Sequence, residues 1–261
     1  MPKSLIFLLV LVKFSSAALA NDTKRYKPGD TFKDCDACPE MVVIPPGSFR
    51  MGNLSGIGAD DEQPVHEVKI GYSFAVGKYE VTQDEWKSIM GTNPSEFKSG
   101  RNPVENVSWD DAKEFVKKLS TKTGKGYRLL SESEWEYVAR AGSTAKFPWG
   151  NEINASKAKF YDGKKLTSPV PVGSYGANAF GVHDTAGNVY EWPEDCYNEN
   201  YNGAPSDGRA WTNVGTCSQR VLRGGSWNTE SWYLRSAFRI GYYSTYRLNY
   251  IGFRVARALS H

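Results

Sequence analysis

Four cysteines, three histidines and an unusual density of tyrosine are the side chains in this sequence with chemistry to offer. Cys35-Asp-Ala-Cys38 has the spacing of a redox dithiol, but that motif normally opens a helix after a strand. Here Pro39 follows at once, which favours a plain disulfide. A zinc site would need a second close Cys or His pair, and the chain has none. Four cysteines allow three pairings. Proximity favours Cys35–Cys38 and Cys196–Cys217, the second closing a loop worth on the order of 3 kcal/mol. His66, His183 and His261 show no His-x-x-x-His metal spacing, and no Gly-x-Ser-x-Gly elbow accompanies them. Each reads as a structural or surface residue.

Residues 1–20 read as a secretory signal peptide. Lys3 supplies the positive start, Leu5 to Val12 the apolar segment, and Ala18-Leu19-Ala20 the small-x-small cleavage site. Leu5 to Val12 is too short to span a bilayer, so the expectation is a secreted or periplasmic protein cleaved near Ala20. That compartment is oxidising, which suits disulfides. The net charge of +3 falls to +1 once Lys3 and Lys13 are removed, giving no electrostatic case for nucleic acid. With 40% hydrophobic and 13% aromatic residues the chain can bury a sizeable core, while 25 glycines and 13 prolines call for turns rather than long helices. Residues 21–40 are expected as a polar arm and 41–261 as one domain, with no fixed-period repeat.

The elements that must position these side chains are legible in places. Met41-Val-Val-Ile-Pro-Pro-Gly-Ser-Phe predicts a strand entering a turn, and Val65 to Ile70 alternates as a strand does. Thr82 with Glu85 forms a capping box ahead of Trp86, Ile89 and Met90. Ser108 starts a second helix, with Ala112, Phe115, Val116 and Leu119 inward and Gly124 as its stop. Ser131 starts a third, with Trp135, Val138 and Ala139 inward and Gly142 as its stop. From Gly142 to Cys217 no helix is predicted, only loops and short strands.

A series of ordered motifs then converges on one family. Phe49-x-Met51-Gly52, Glu80-Val81-Thr82 and Pro103-Val104-x-Asn106-Val107-Ser108-Trp109 are followed by Tyr127-Arg128-Leu129-Leu130-Ser131-Glu132-x-Glu134-Trp135-Glu136. Pro148-Trp149-Gly150, Gly187-Asn188-Val189-Tyr190-Glu191-Trp192, Arg223-Gly224-Gly225-Ser226-Trp227 and Gly252-Phe253-Arg254 complete it. The series closely resembles the formylglycine-generating enzyme family, also called the sulfatase-modifying factor domain, over residues 41–258. The resemblance implies an α+β, C-type-lectin-related fold with much irregular structure, short sheets and flanking helices.

Members of that family that convert a sulfatase cysteine to formylglycine hold copper with two cysteines placed after the Gly-Gly-Ser motif. This chain has no cysteine from Ser218 to His261, and Cys217 lies on the wrong side of Arg223-Gly224-Gly225. A thiolate is the soft ligand copper(I) needs, so no catalytic residue is assigned and copper is not expected. The family's iron-dependent relatives carry an extra helical domain for which this chain has no room. The turn before Glu-Trp often binds calcium in the family. The matching residues are Asp184, Gly187, Val189 and Glu191, which suit a structural ion with oxygen ligands or a simple brace of the loop. A second family calcium site maps near Lys159, an unsuitable ligand.

The tail is therefore read as a binding surface. Between its arginines lie Tyr233, Phe238, Ile240, Tyr242, Tyr243, Tyr246, Leu248, Asn249 and Tyr250. Tyrosines among Ser, Gly and Asn make adaptable contact surfaces, and Ile240-Gly-Tyr-Tyr243 lacks the alternation of a core strand. The expected ligand is a protein, peptide or glycan. The tail also resembles the variable region of retroelement-diversified proteins of this fold. Randomising the first two bases of an Asn codon ending in C cannot yield Lys, Glu, Gln, Met or Trp, and residues 233–251 contain none of them. The alternative is an oxidase, or an accessory factor that binds sulfatase-type peptides without oxidising them.

Overall fold

The sheets among the described residues are short, and in the largest the last strand of the chain lies between two earlier ones. The computed structural model describes residues 25–164, 167–213, 215 and 217–259. The expected signal peptide and His261 lie outside the described residues. Five antiparallel strands form the main sheet: β1 (Thr31–Phe32), β2 (Met41–Ile44), β5 (Phe74–Gly77), β11 (Val255–Ala258) and β6 (Tyr127–Leu129), in that spatial order. A hairpin pairs β3 (Gly47–Met51) with β4 (His66–Ile70). The remaining sheet runs β10 (Ile251–Gly252), β7 (Tyr190–Glu191), β8 (Gln219–Arg223), β9 (Arg239–Tyr243), with β10 and β7 parallel.

The main sheet is buried on both faces, which is why Met41-Val-Val-Ile44 is apolar at every position. Met41 and Val43 join one core with Val255, while Val42 and Ile44 join the other with Phe74 and Val76. Helices α1 (Gln83–Met90) and α2 (Trp109–Thr123) cover the first face through Trp86, Phe115, Val116 and Leu119. Helix α3 (Glu132–Arg140) covers the second through Trp135, Val138 and Ala139. All three begin on the expected capping boxes, at Thr82, Ser108 and Ser131.

Two boundaries differ from the sequence reading. Helix α3 stops on Ala141 at φ 44°, one residue before Gly142. The arm is also part of the domain: Thr31 pairs with Val42, and Phe32 sits in the core. A stretch read as polar thus adds an edge strand, because its one large apolar residue points inward. From Gly142 to Cys217 only β7 and isolated bridges interrupt the loops among the described residues. Cys35 is bonded to Cys38 and Cys196 to Cys217. No helix among the described residues is long and apolar enough to cross a membrane.

Candidate functional site

The arginines of the tail are pinned by carboxylates from other parts of the chain. Arg223, at the end of β8 and fully buried, pairs with Glu136 of α3 and donates to the carbonyls of Ala237 (2.8 Å) and Phe238 (2.5 Å). Arg235 forks onto Glu62 at 2.7 and 2.5 Å, and Arg239 onto Glu132 at 2.7 and 2.9 Å. Arg254 forks onto Glu191 at 3.1 and 2.7 Å. A planar guanidinium matches a carboxylate edge to edge, which a lysine cannot do. Burial alone would raise Glu132, but Arg239 and Arg223 outweigh it and hold its carboxyl below the usual range.

These anchors shape the loop after β8. Gly224 and Gly225 take φ of 95° and 72°, and a Cβ on Gly225 would lie 2.9 Å from the Tyr233 carbonyl oxygen. Ser226 N–H donates to Thr229 Oγ1 at 2.9 Å, and that hydroxyl donates back to the Ser226 carbonyl at 3.1 Å. Trp227 Nε1 donates to the Asn249 carbonyl at 3.1 Å. This is the loop in which the resemblance places the copper-binding cysteines. The buried Tyr190 of β7 donates its backbone N–H to the Tyr250 carbonyl at 2.9 Å. The Tyr190 and Tyr250 ring centroids are 6.4 Å apart. Burial pushes the phenols of Tyr190 and Tyr250 up, and neighbouring phenols add to the shift. Both therefore stay neutral at physiological pH. All four cysteines are disulfide-bonded. The loop thus offers hydroxyls and ring faces, and no thiolate for a soft metal.

The expected contact residues divide by depth. Tyr243 and Tyr246 are 48% and 45% exposed, with ring centroids 5.4 Å apart. Tyr233, Ile240, Tyr242, Leu248, Asn249 and Tyr250 are half-buried. Phe238 is a correction: it is buried in the main core, edge-on to Tyr233. The chain between the anchored Arg235 and Arg239 is drawn inward, and Phe238 goes with it. The run Ile240 to Tyr243 is also corrected, because it belongs to strand β9. Ile240 and Tyr242 pack on the core, while Gly241 lies against Tyr197, where a Cβ would come within 2.5 Å of the ring. A glycine in the outward position disguised the alternation. Beyond β9, Arg247 forks onto Asp111 at 2.7 and 2.8 Å and Asn249 donates to Glu96 at 2.9 Å. Sequence reasoning missed Tyr190 and Trp232, which is 40% exposed and flat enough against Arg235 to sit 3.9 Å from its guanidinium. Tyr190 sits within the Gly187 to Trp192 motif, which was its available signal.

The loop expected to hold calcium is tightly braced. Asp184 accepts from Gly173 N–H at 2.6 Å, and Glu191 accepts from the Trp135 indole at 2.8 Å as well as from Arg254. Glu80 accepts from the Asn188 amide at 2.6 Å and from Val189 N–H at 3.1 Å. Burial pushes Glu80 well above the usual carboxylate range, and the charges of Asp184 and Glu191 add to it; burial likewise raises Asp184. Of these carboxylates Glu191 is the one that pairs with Arg254, and among the described residues no three acidic, histidine or cysteine side chains gather at a common metal position. Carboxylate and carbonyl oxygens are the donors a hard cation takes, but Glu191 already accepts three hydrogen bonds. Lys159 serves through its backbone, whose carbonyl accepts from Asn188 N–H at 2.8 Å.

Residues 27–259 match the family described as "Sulfatase-modifying factor enzyme 1-like domain". Serine/threonine-protein kinase pkn1 of Chlamydia caviae is 32% identical over 228 residues, covering 77% of this chain and 35% of that protein. The chain therefore spans about a third of the length of the chlamydial relatives it matches. The formylglycine-generating enzyme of Thermomonospora curvata is 31% identical, covering 71% of this chain and 82% of its own. Among solved structures, PvdO from Pseudomonas aeruginosa aligns with a TM-score of 0.82 and 41% identity, covering 90% of this chain and 100% of that one. Treponema denticola variable protein 1 aligns with a TM-score of 0.76 and 26% identity, covering 87% and 98%.

Proposed function

This chain belongs to the sulfatase-modifying-factor family, and from that premise we propose that it is an exported binding protein that keeps the family's frame without its two-cysteine copper chemistry. The observation that carries the reading is the loop after Gly224-Gly225-Ser226. Where the resemblance places the enzymes' two cysteines, this chain carries none, and the tyrosine-rich tail follows directly. Tyr243 and Tyr246 project from a backbone held by Arg239 and Arg247, so they offer large contact area with little ordering cost. The ligand is a protein, peptide or glycan.

Binding to immobilised peptide and glycan panels tests this. Replacing Tyr243 and Tyr246 together with alanine should weaken capture by about 30-fold or more while leaving the melting temperature unchanged. Copper-dependent turnover of a Cys-x-Pro-x-Arg peptide by the purified protein would overturn the reading. Export predicts a mature chain that starts at Asn21. Mass spectrometry of protein recovered outside the cytoplasm checks that, and an intact Met1 start there would contradict it.

Calcium is proposed as a structural ion on the loop carrying Asp184, Gly187, Val189 and Glu191. Chelation should lower the melting temperature by about 5–10 °C, and added calcium should restore it. Asp184→Asn should abolish that response. A melting curve indifferent to chelator removes the ion.

A further inference from the structure

A cavity lies away from the tail tyrosines, between α2, β6, the start of α3 and the turn before Ala210. Its volume is about 550 Å³, within the range that holds small organic ligands. Three cations line it, Lys113, Arg128 and Arg209, against two carboxylates, Glu134 and Glu194.

The hydrogen bonding decides what this cavity can take. Glu134 Oε1 accepts from the Tyr72 hydroxyl (2.8 Å) and Arg128 (2.7 Å). Its Oε2 accepts from Arg128 (2.6 Å) and Ser131 N–H (2.9 Å). All its lone pairs are engaged, so it offers a ligand nothing. Glu194 turns both oxygens to Lys113, each at 2.7 Å. The donors are not used up in the same way. Lys113 keeps a third N–H, and the contacts of Arg128 with Glu134 and the Leu129 carbonyl leave its Nε and one Nη2 proton over. Arg209 is 74% exposed, with its nearest carboxylate, Asp207, 3.7 Å away. The cavity carries one net positive charge and mostly spare donors. The Tyr72 ring and Ala210, both half-buried, supply apolar wall between them.

We propose that this cavity is a second ligand site, selective for a carboxylate or phosphate oxyanion carried on a short apolar body. The oxyanion meets Lys113, Arg128 and Arg209, and the body lies along Tyr72 and Ala210. The inference does not rest on the binding role of the tail.

Ligand-observed NMR with the full chain tests it, using hexanoate and hexyl phosphate as probes and hexylamine as the cation control. Saturable binding of one or both anions at millimolar concentration, weakened by salt, is expected, with none for hexylamine. Which anion binds more tightly identifies the source of the oxyanion. Arg209→Glu, on an exposed side chain, should weaken the anion about tenfold without moving the melting temperature. Lys113→Met should also weaken anion binding, whereas the Tyr243→Ala, Tyr246→Ala double variant should leave it intact. Absence of saturable binding by either anion, equal binding of hexylamine, or indifference to Arg209→Glu would overturn the proposal.

Discussion

Glu132→Gln should cost this protein about 3–5 kcal/mol of folding stability, the usual price of removing one partner from a buried ion pair. Glu132 takes both oxygens to Arg239, accepts from the Tyr201 hydroxyl at 3.1 Å and lies 3.7 Å from Arg223. Glutamine keeps the shape but loses the charge. The buried Arg239 would lose the carboxylate it forks onto, while Glu136 already serves Arg223 and Arg140, and desolvation would no longer be offset. The comparison is Arg247→Ala, whose partner Asp111 sits at the surface. An exposed pair contributes at most about 1 kcal/mol. Chemical denaturation of the two variants measures both. If Glu132→Gln were no more harmful than Arg247→Ala, the anchoring account of the tail would fail.

The disulfide Cys196–Cys217 should contribute about 3 kcal/mol, and replacing both cysteines with alanine should remove it. It closes a loop of sequence separation 21, against 3 for Cys35–Cys38. Constraining the longer loop restricts the unfolded chain more, so the Cys35–Cys38 pair should contribute about 1–2 kcal/mol less. Cys196 also bridges Arg220 of β8, so losing this bond loosens the strand on which β9 and its tyrosines are hung. Thermal unfolding of the two double variants, with and without reductant, gives the order. Equal losses, or a larger loss at Cys35–Cys38, would contradict it.

The two predictions draw on different kinds of information. Both disulfide pairings followed from spacing, because cysteines close in sequence meet easily in an oxidising compartment. The ion-pair partners did not. Arg239 and Glu132 are 107 residues apart and Arg235 and Glu62 are 173 apart, and no local pattern links them. Each arginine was visible as a recurrent tail residue, but its carboxylate was only one glutamate among many.

The same division runs through the fold and the site. Thr82, Ser108 and Ser131 announced three helices correctly, since a capping box is a contact between residues three apart. The ordered motifs identified the family. Folding decided which tail side chains face outward. Phe238 and Tyr243 are both aromatic and five residues apart, yet one is buried and the other half exposed. Arg235 and Arg239, bound to distant carboxylates, pull the first inward, whereas β9 ends where the second leaves the core. The spare donors of the oxyanion cavity were equally hidden, because which N–H groups remain free depends on partners that only folding brings together. Local hydrogen bonds and covalent links can be read along a chain. Burial and charge pairing cannot, because they depend on what the rest of the chain places opposite.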